Sequence, residues 1–206
     1  MAPPARRASP VRWGEPPPGL VPRAVARIRR LFGRPPPPSA RTLPELPVAL
    51  RRSELAVPYL AAEAASDHPA AGQAATVAME SSAAVAEWWP ADIWGHRALW
   101  HFERASMELE ATRAARMIGD LRSAAGDPLS ARRYYAEAIS EARDLGAERE
   151  QGLAALGMGR AEMDLADVTT ARRLAQIAEE LLERAGAPPD EIAAARELRG
   201  QEKEVS

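Results

Sequence analysis

The feature that most constrains the fold of this chain is an internal repeat in its second half. When the sequence is aligned with itself at a shift of 40 positions, identical residues coincide at one glycine, one aspartate, an Ala-Arg-Arg triplet and a Gly-Ala pair. The matches are Gly119 with Gly159, Asp127 with Asp167, 131–133 with 171–173, and 146–147 with 186–187. A period of this length is typical of proteins that stack one structural unit several times. We therefore expect a repeat array rather than a single closed core.

The hydrophobic pattern indicates that the repeated unit is helical. From Ser53 onward, apolar residues recur at helical spacing between Gly, Asp and Pro breakers, and no stretch alternates with a period of two. Ser53 is a candidate N-cap for a first helix that ends near Ala65, with Pro58 delaying or kinking its start. The sequence predicts an all-α body over residues 53–206.

Each unit resembles the tetratricopeptide repeat in its longer, 40-residue form. The shared features are an apolar-Gly pair at 118–119 and 158–159, an Asp at the turn, and paired alanines at 131 and 138 and at 171 and 178. A further 40-residue step back places Ala91 and Ala98 at the paired-alanine positions and Met79 at the glycine position. The resemblance implies an α-solenoid of antiparallel helix pairs. Its expected parts are a leading helix (53–69), a degenerate repeat (70–107), two clear repeats (108–147 and 148–187) and a capping helix (188–200).

The same resemblance implies a groove lined by the first helix of each unit, where another protein or peptide would bind. The matching positions are Gln73, Thr76, Glu80, Arg113, Arg116, Asp120, Leu153, Leu156, Arg160 and Asp164. Three arginines converging on a groove could hold a carboxylate terminus or an acidic segment by charge-assisted hydrogen bonds. The alternative is an internal network in which Arg113 and Arg116 pair with Asp120 and Glu110.

An aromatic cluster occupies the degenerate repeat. Four of the five tryptophans fall between Trp88 and Trp100, and Phe102 follows them. The spacing of Trp94, His101 and Phe102 predicts a buried stripe. Trp88 and Trp89, beside a turn, are the candidate exposed anchors for a partner, because tryptophan is enriched at interface hot spots.

The N-terminal 52 residues differ sharply from the rest. They hold 11 Arg and 2 Glu, a net charge of +9, and 13 of the 19 prolines, whereas the remainder has a net charge of −11. We expect a disordered or extended arm, interrupted by a short basic amphipathic helix at 21–34 whose arginines are Arg23, Arg27, Arg29, Arg30 and Arg34. Such an arm could contact nucleic-acid phosphates, an anionic membrane, an acidic partner or the acidic body itself.

The composition argues against catalysis. The chain has no cysteine, and its three histidines (68, 96 and 101) do not share the spacing of helical metal ligands, so we expect them to be surface or partly buried residues. No nucleophile motif, phosphate loop or cofactor motif is present, and no apolar run approaches the ~20 residues of a membrane span. The sequence thus predicts a cytoplasmic, non-enzymatic adaptor or assembly subunit without cofactor or metal. The alternative is a regulatory module, of a kind common in bacterial signalling, whose basic arm contacts nucleic acid or an anionic surface.

Overall fold

The structure is a computed structural model that describes residues 43–201. The chain divides into two compact units, Met1–Val48 and Ala49–Ser206. Only residues 43–48 of the first unit are described, so the predicted helix at 21–34 and its five arginines lie outside the described residues. Within residues 43–201 the secondary structure is helical throughout, with no strand, and the prediction of an all-α body is confirmed.

Nine helices are present in the described range, and from the second onward consecutive helices pack against each other, an arrangement consistent with a helical solenoid. Their bounds are α1 Val48–Arg51, α2 Ala56–Ala64, α3 His68–Ala84, α4 Trp88–Arg104, α5 Glu108–Ala124, α6 Pro128–Asp144, α7 Glu148–Asp164, α8 Val168–Arg184 and α9 Pro189–Gly200. Helices α3 to α8 are all of the same length, 17 residues, and their first residues follow one another at a constant interval of 20 positions. Two helices and their two turns therefore make up the 40-residue period of the sequence.

The turns between these helices share one backbone conformation. A residue with positive φ recurs every 20 positions, at Ser66, Ala86, Ser106, Gly126, Gly146, Ala166 and Gly186. After each one, the next backbone N–H donates to the carbonyl five residues earlier, as Asp127 does to Arg122 at 2.8 Å. This is the Schellman arrangement, which satisfies the last carbonyls of a helix and favours glycine at its left-handed residue.

Aspartates begin several of the helices. Asp67, Asp127 and Asp167 precede α3, α6 and α8, and each side chain accepts a hydrogen bond from the backbone N–H three residues later. The predicted cap at Ser53 is wrong, because its hydroxyl donates to the Leu50 carbonyl instead and α2 begins only at Ala56. Pro58 consequently lies in the first turn of α2, where proline is tolerated.

Residue sizes are complementary between the two helices of a pair. A Cβ atom added to Gly72 would lie 2.7 Å from Phe102 Cε1, and one added to Gly152 would lie 2.9 Å from Leu182 Cγ. The successive residue pairs at these two repeat positions are Gly72 and Phe102, Thr112 and Ala142, and Gly152 and Leu182. Where the first position is glycine the second is the large Phe102 or Leu182, and where the first is threonine the second is alanine, which keeps the interior filled while the sequence varies.

The Tyr135 ring shows the same complementarity between neighbouring units. It lies between Gly119 of α5 and Gly157 of α7, and Cβ atoms on these glycines would come within 2.9 Å of Cε1 and 2.6 Å of Cζ, respectively. One unit earlier, the glycine position is taken by Met79, and the position of Tyr135 is taken by Gly95. A Cβ on Gly95 would be 2.9 Å from Met79 Sδ, so the exchange of large and small residues preserves the packing.

In the last part of the stack, helices also contact the helix two places away along the chain. Helix α7 contacts α5 and also α9, which buries Ala195 and Leu198 on the last pair. Solenoid ends need such a covering helix, because each unit buries its apolar side only against its neighbours. No helix within residues 43–201 is long and apolar enough to cross a membrane.

Candidate partner-binding groove

We use the term inner row for the predicted groove residues of α3, α5 and α7, the first helices of the three pairs, together with Glu150, which contacts two of them. All the groove residues predicted from the sequence lie on these helices. Gln73, Glu80, Arg113, Asp120, Arg160 and Asp164 are exposed, Thr76, Arg116 and Leu153 are partly buried, and Leu156 is buried. Leu156 belongs to the core between α7, α8 and α9 rather than to a groove surface.

The centre of the inner row is a buried carboxylate shared by two arginines. Glu150, in the first turn of α7, is only 6% exposed. Its Oε1 accepts from Arg113 Nε at 3.1 Å, and its Oε2 accepts from Arg116 Nε at 3.0 Å. Both arginines belong to α5, so this pairing joins two successive units. Charge-assisted hydrogen bonds of this kind hold both guanidinium groups in fixed positions.

Asp120 extends the network toward the interior. Its Oδ2 lies 2.7 Å from Arg116 Nη1, and its Oδ1 accepts from the Tyr135 hydroxyl at 2.8 Å. Burial and the neighbouring Asp120 carboxylate raise the pKa of Tyr135, so its hydroxyl stays protonated as a donor. The ring that separates Gly119 from Gly157 is therefore anchored at its polar end to the inner row.

Sequence reasoning offered two interpretations of Arg113 and Arg116, and the internal network is present: Arg116 pairs with Asp120 as predicted, but a different residue replaces the other predicted carboxylate. The carboxylate is Glu150 rather than Glu110. One full period of the repeat separates the two glutamates, so Glu150 is the equivalent of Glu110 in the next unit. The repeat register would have identified Glu150 if contacts between units had been considered.

Arg160 is the one arginine of the predicted groove whose side chain makes no hydrogen bond or ion pair within residues 43–201. It is exposed on α7, and its positive charge acts on both Asp120 and Tyr135. The cluster of Arg113, Arg116 and Arg160 with Glu150 and Asp120 carries three positive and two negative charges, a net of +1. Of the three guanidinium groups, only that of Arg160 has no carboxylate partner among the described residues.

The remaining groove residues are not part of this cluster. Gln73, Glu80 and Asp164 make no hydrogen bond or ion pair with it among the described residues. Thr76 donates to the Gly72 carbonyl within its own helix at 3.0 Å. Val77 is 58% exposed on α3, and Met117 on α5 and Leu153 on α7 are partly exposed. Apolar side chains thus accompany the charged ones on the same helices.

The aromatic cluster divides between interior and surface. Trp94, His101 and Phe102 are 0%, 1% and 5% exposed, so the predicted buried stripe is confirmed. Trp88 and Trp89 are the first two residues of α4, where Trp88 is partly buried and Trp89 is 51% exposed. Trp89 therefore offers apolar area at the beginning of α4.

The expectation that the histidines are surface or partly buried residues is wrong for His96 and His101, and for His101 the burial predicted from the aromatic spacing is the correct one. His96 is buried, with its Nδ1 2.8 Å from the Asp92 carbonyl and its Nε2 2.9 Å from the Tyr134 hydroxyl. His101 is also buried, and its Nδ1 lies 3.0 Å from His68 Nδ1. Apart from the Asp92 carbonyl, the hydrogen-bond partners of these rings are 33 to 42 residues away, and no local spacing signals such contacts.

Neither the family models nor the curated proteins include a match to this sequence. Across residues 43–201, no three His, Asp or Glu side chains are grouped so that they could hold a metal ion.

Proposed function

We propose that this chain is a tetratricopeptide-like solenoid that acts as a non-enzymatic adaptor or assembly subunit. Its two clear repeats and one degenerate repeat present α3, α5 and α7 to a partner protein. An acidic segment or a carboxylate terminus of that partner binds at the arginines of the inner row. Trp89 provides a second, apolar contact outside the row.

The observation that carries this proposal is the state of Arg160. Arg113 and Arg116 are already paired with Glu150, whereas Arg160 is exposed and makes no ion pair with any described residue. Glu150 also keeps the neighbouring guanidinium groups in place, which reduces the entropy that a bound ligand must lose. A preorganised basic cluster with one unpaired arginine is suited to accept an external carboxylate.

Charge reversal of that arginine tests the proposal. Tagged full-length wild type, Arg160→Glu and Arg173→Glu are used to capture partners from nuclease-treated native lysate of the source cells. Arg173 is exposed on α8, which is not an inner-row helix, so its reversal makes the same change in net charge elsewhere. Mass spectrometry then compares the captured proteins.

We expect a protein held stoichiometrically by wild type and Arg173→Glu to be lost from Arg160→Glu. Circular dichroism of each variant checks that the helical body is intact. Equal capture by all three proteins would refute binding through the inner row. Loss from both variants would indicate that net charge, rather than this site, controls binding.

A further inference from the structure

A continuous chain of polar side chains joins α2, α3 and α4 at a site apart from the inner row. Its members are Arg104, His68, His101, Tyr59, Arg97 and Glu63. Tyr59 and His101 are 0% and 1% exposed, so the centre of the chain is shielded from water. We call this set the histidine relay.

The donors of the relay can be assigned from its carboxylate end. The Tyr59 hydroxyl lies 2.9 Å from Glu63 Oε1, 2.8 Å from Arg97 Nη1 and 3.1 Å from His101 Nε2. An ionised carboxylate can only accept and a guanidinium can only donate, so the single hydroxyl proton of Tyr59 is donated to Glu63. The His101 Nε2 must then carry a proton and donate it to the Tyr59 oxygen.

The same reasoning assigns the tautomer of the second histidine, His68. A neutral His101 with its proton on Nε2 has a lone pair on Nδ1, and this atom is 3.0 Å from His68 Nδ1. The His68 Nδ1 therefore donates, and its own Nε2 accepts from Arg104 Nε at 3.4 Å. The hydrogen bonds run in one direction, from Arg104 through the two histidines and Tyr59 to Glu63, and Arg97 donates to Tyr59 from the side. This arrangement requires both imidazoles to be neutral.

From this geometry we infer that the histidine relay is an acid-sensitive latch, which holds α2 on α3 and α4 while both imidazoles are neutral and releases α2 when His101 takes up a second proton. Tyr59 and Glu63 face the pair from α2, His68 belongs to α3, and Arg97, Trp100 and Arg104 face it from α4. Glu63, the only carboxylate of the relay, contacts Tyr59 rather than either imidazole ring.

Protonation disrupts the relay for steric and electrostatic reasons. A second proton on His101 would place two N–H groups against each other across the 3.0 Å between the Nδ1 atoms. If His68 changed tautomer to avoid this, its Nε2–H would face the Arg104 N–H instead. The resulting imidazolium would also lie near the positive charges of Arg97 and Arg104, away from solvent.

Burial first, and then His68, Arg97 and Arg104, lower the pKa of His101 from 6.5 to about 4. A lowered folded-state pKa means that the stabilisation is fully present above pH 6.5 and is lost as the pH falls toward 4. At pH 5 this difference favours opening by roughly thirtyfold relative to pH 7.5. Because α2 is the first helix of the stacked array and packs on α3, its release need not unfold the later pairs.

Hydrogen exchange on the full-length chain tests the latch. After correction for intrinsic exchange rates, we expect the amides of 56–64 to exchange at least about tenfold faster at pH 5 than at pH 7.5. Amides of α7 and α8 should keep their protection at both values. His101→Asn removes the titrating ring, so its α2 exchange should be independent of pH over this range. Equal α2 protection in the wild type at the two pH values, or the same pH dependence in the variant, would overturn the inference.

A second measurement on the unmodified protein does not depend on the folding of a variant. Imidazole 15N chemical shifts at pH 7.5 should show His68 protonated on Nδ1 and His101 protonated on Nε2. Trp100 contacts both rings, at 5.6 and 4.7 Å between centroids, so its fluorescence should report the same transition. The opposite tautomers, or a charged His101 at pH 7, would contradict the relay.

Discussion

The contact between Gly157 and Tyr135 allows a quantitative test of how successive helix pairs pack. In a Gly157→Ala variant, the new methyl group would overlap the Tyr135 ring, with 2.6 Å between Cβ and Cζ. Tyr135 cannot move aside easily, because Gly119 lines its other side and its hydroxyl is bonded to Asp120.

Two opposing effects determine the magnitude. Overpacking a filled core costs about 1–3 kcal/mol. Replacing glycine by alanine inside a helix contributes about 1 kcal/mol of stability in the absence of a clash. Because the overlap with the ring is severe, the upper part of the overpacking range, about 2–3 kcal/mol, applies, and we expect Gly157→Ala to lower the free energy of unfolding by about 1–2 kcal/mol. In a Tyr135→Leu background the closest ring atoms are absent, and the same substitution should be neutral or stabilising.

Urea denaturation followed by circular dichroism measures these changes in a double-mutant cycle. The matched control is Gly200→Ala at the end of α9, where a Cβ would meet nothing within 4 Å, and this change should be neutral or slightly stabilising. If Gly157→Ala is as stable as wild type, or destabilises equally with Leu at 135, the ring does not fill the space between the units.

Two further predictions concern the ion network and the turns. Glu150→Gln removes the carboxylate shared by Arg113 and Arg116. After allowing for the solvent exposure of Arg113, we expect the free energy of unfolding to fall by about 2 kcal/mol, measured as a lower urea midpoint at an unchanged slope. An unchanged midpoint would show that the shared carboxylate does not stabilise the pairing of units. Ala166 adopts a left-handed φ of 64° that glycine takes without strain, so Ala166→Gly should raise the free energy of unfolding by about 1 kcal/mol. Gly146→Ala, at a φ of 67°, should lower it by a similar amount, and thermal melts measure both changes. Effects of the opposite sign would refute this account of the turns.

The repeat made the helical architecture predictable, because matched turn residues reveal where units begin and end. Gly126, Gly146 and Gly186 are visible signals of the left-handed turn residue, and Asp127 and Asp167 are visible caps. The finer period, half the length of the repeat, was hidden because Ser66, Ala86, Ser106 and Ala166 take the same conformation without the sequence signal. The intrinsic conformational preference of a single residue is a weak predictor of backbone conformation where the surrounding stack of helices determines the turn.

The candidate site was only partly predictable. Helical position placed Arg113, Arg116 and Arg160 on inner-row helices, but the burial of Glu150 between two units depends on contacts across 34 and 37 residues. The histidine relay was missed for the same reason, since His101 meets Tyr59 across 42 positions. Side-chain networks between helices are a property of the assembled stack, which local spacing does not encode.

Chemical footprinting of arginines tests the central claim, that a partner binds along the inner row, most directly. The full-length chain is treated with phenylglyoxal, with and without the captured partner, and modification of each arginine is read by mass spectrometry. The account predicts that the partner protects Arg160, with weaker protection of Arg113, while Arg173 on α8 reacts equally in both samples. Protection of Arg173 with Arg160 left fully reactive would contradict the account, because the partner would then bind outside the inner row.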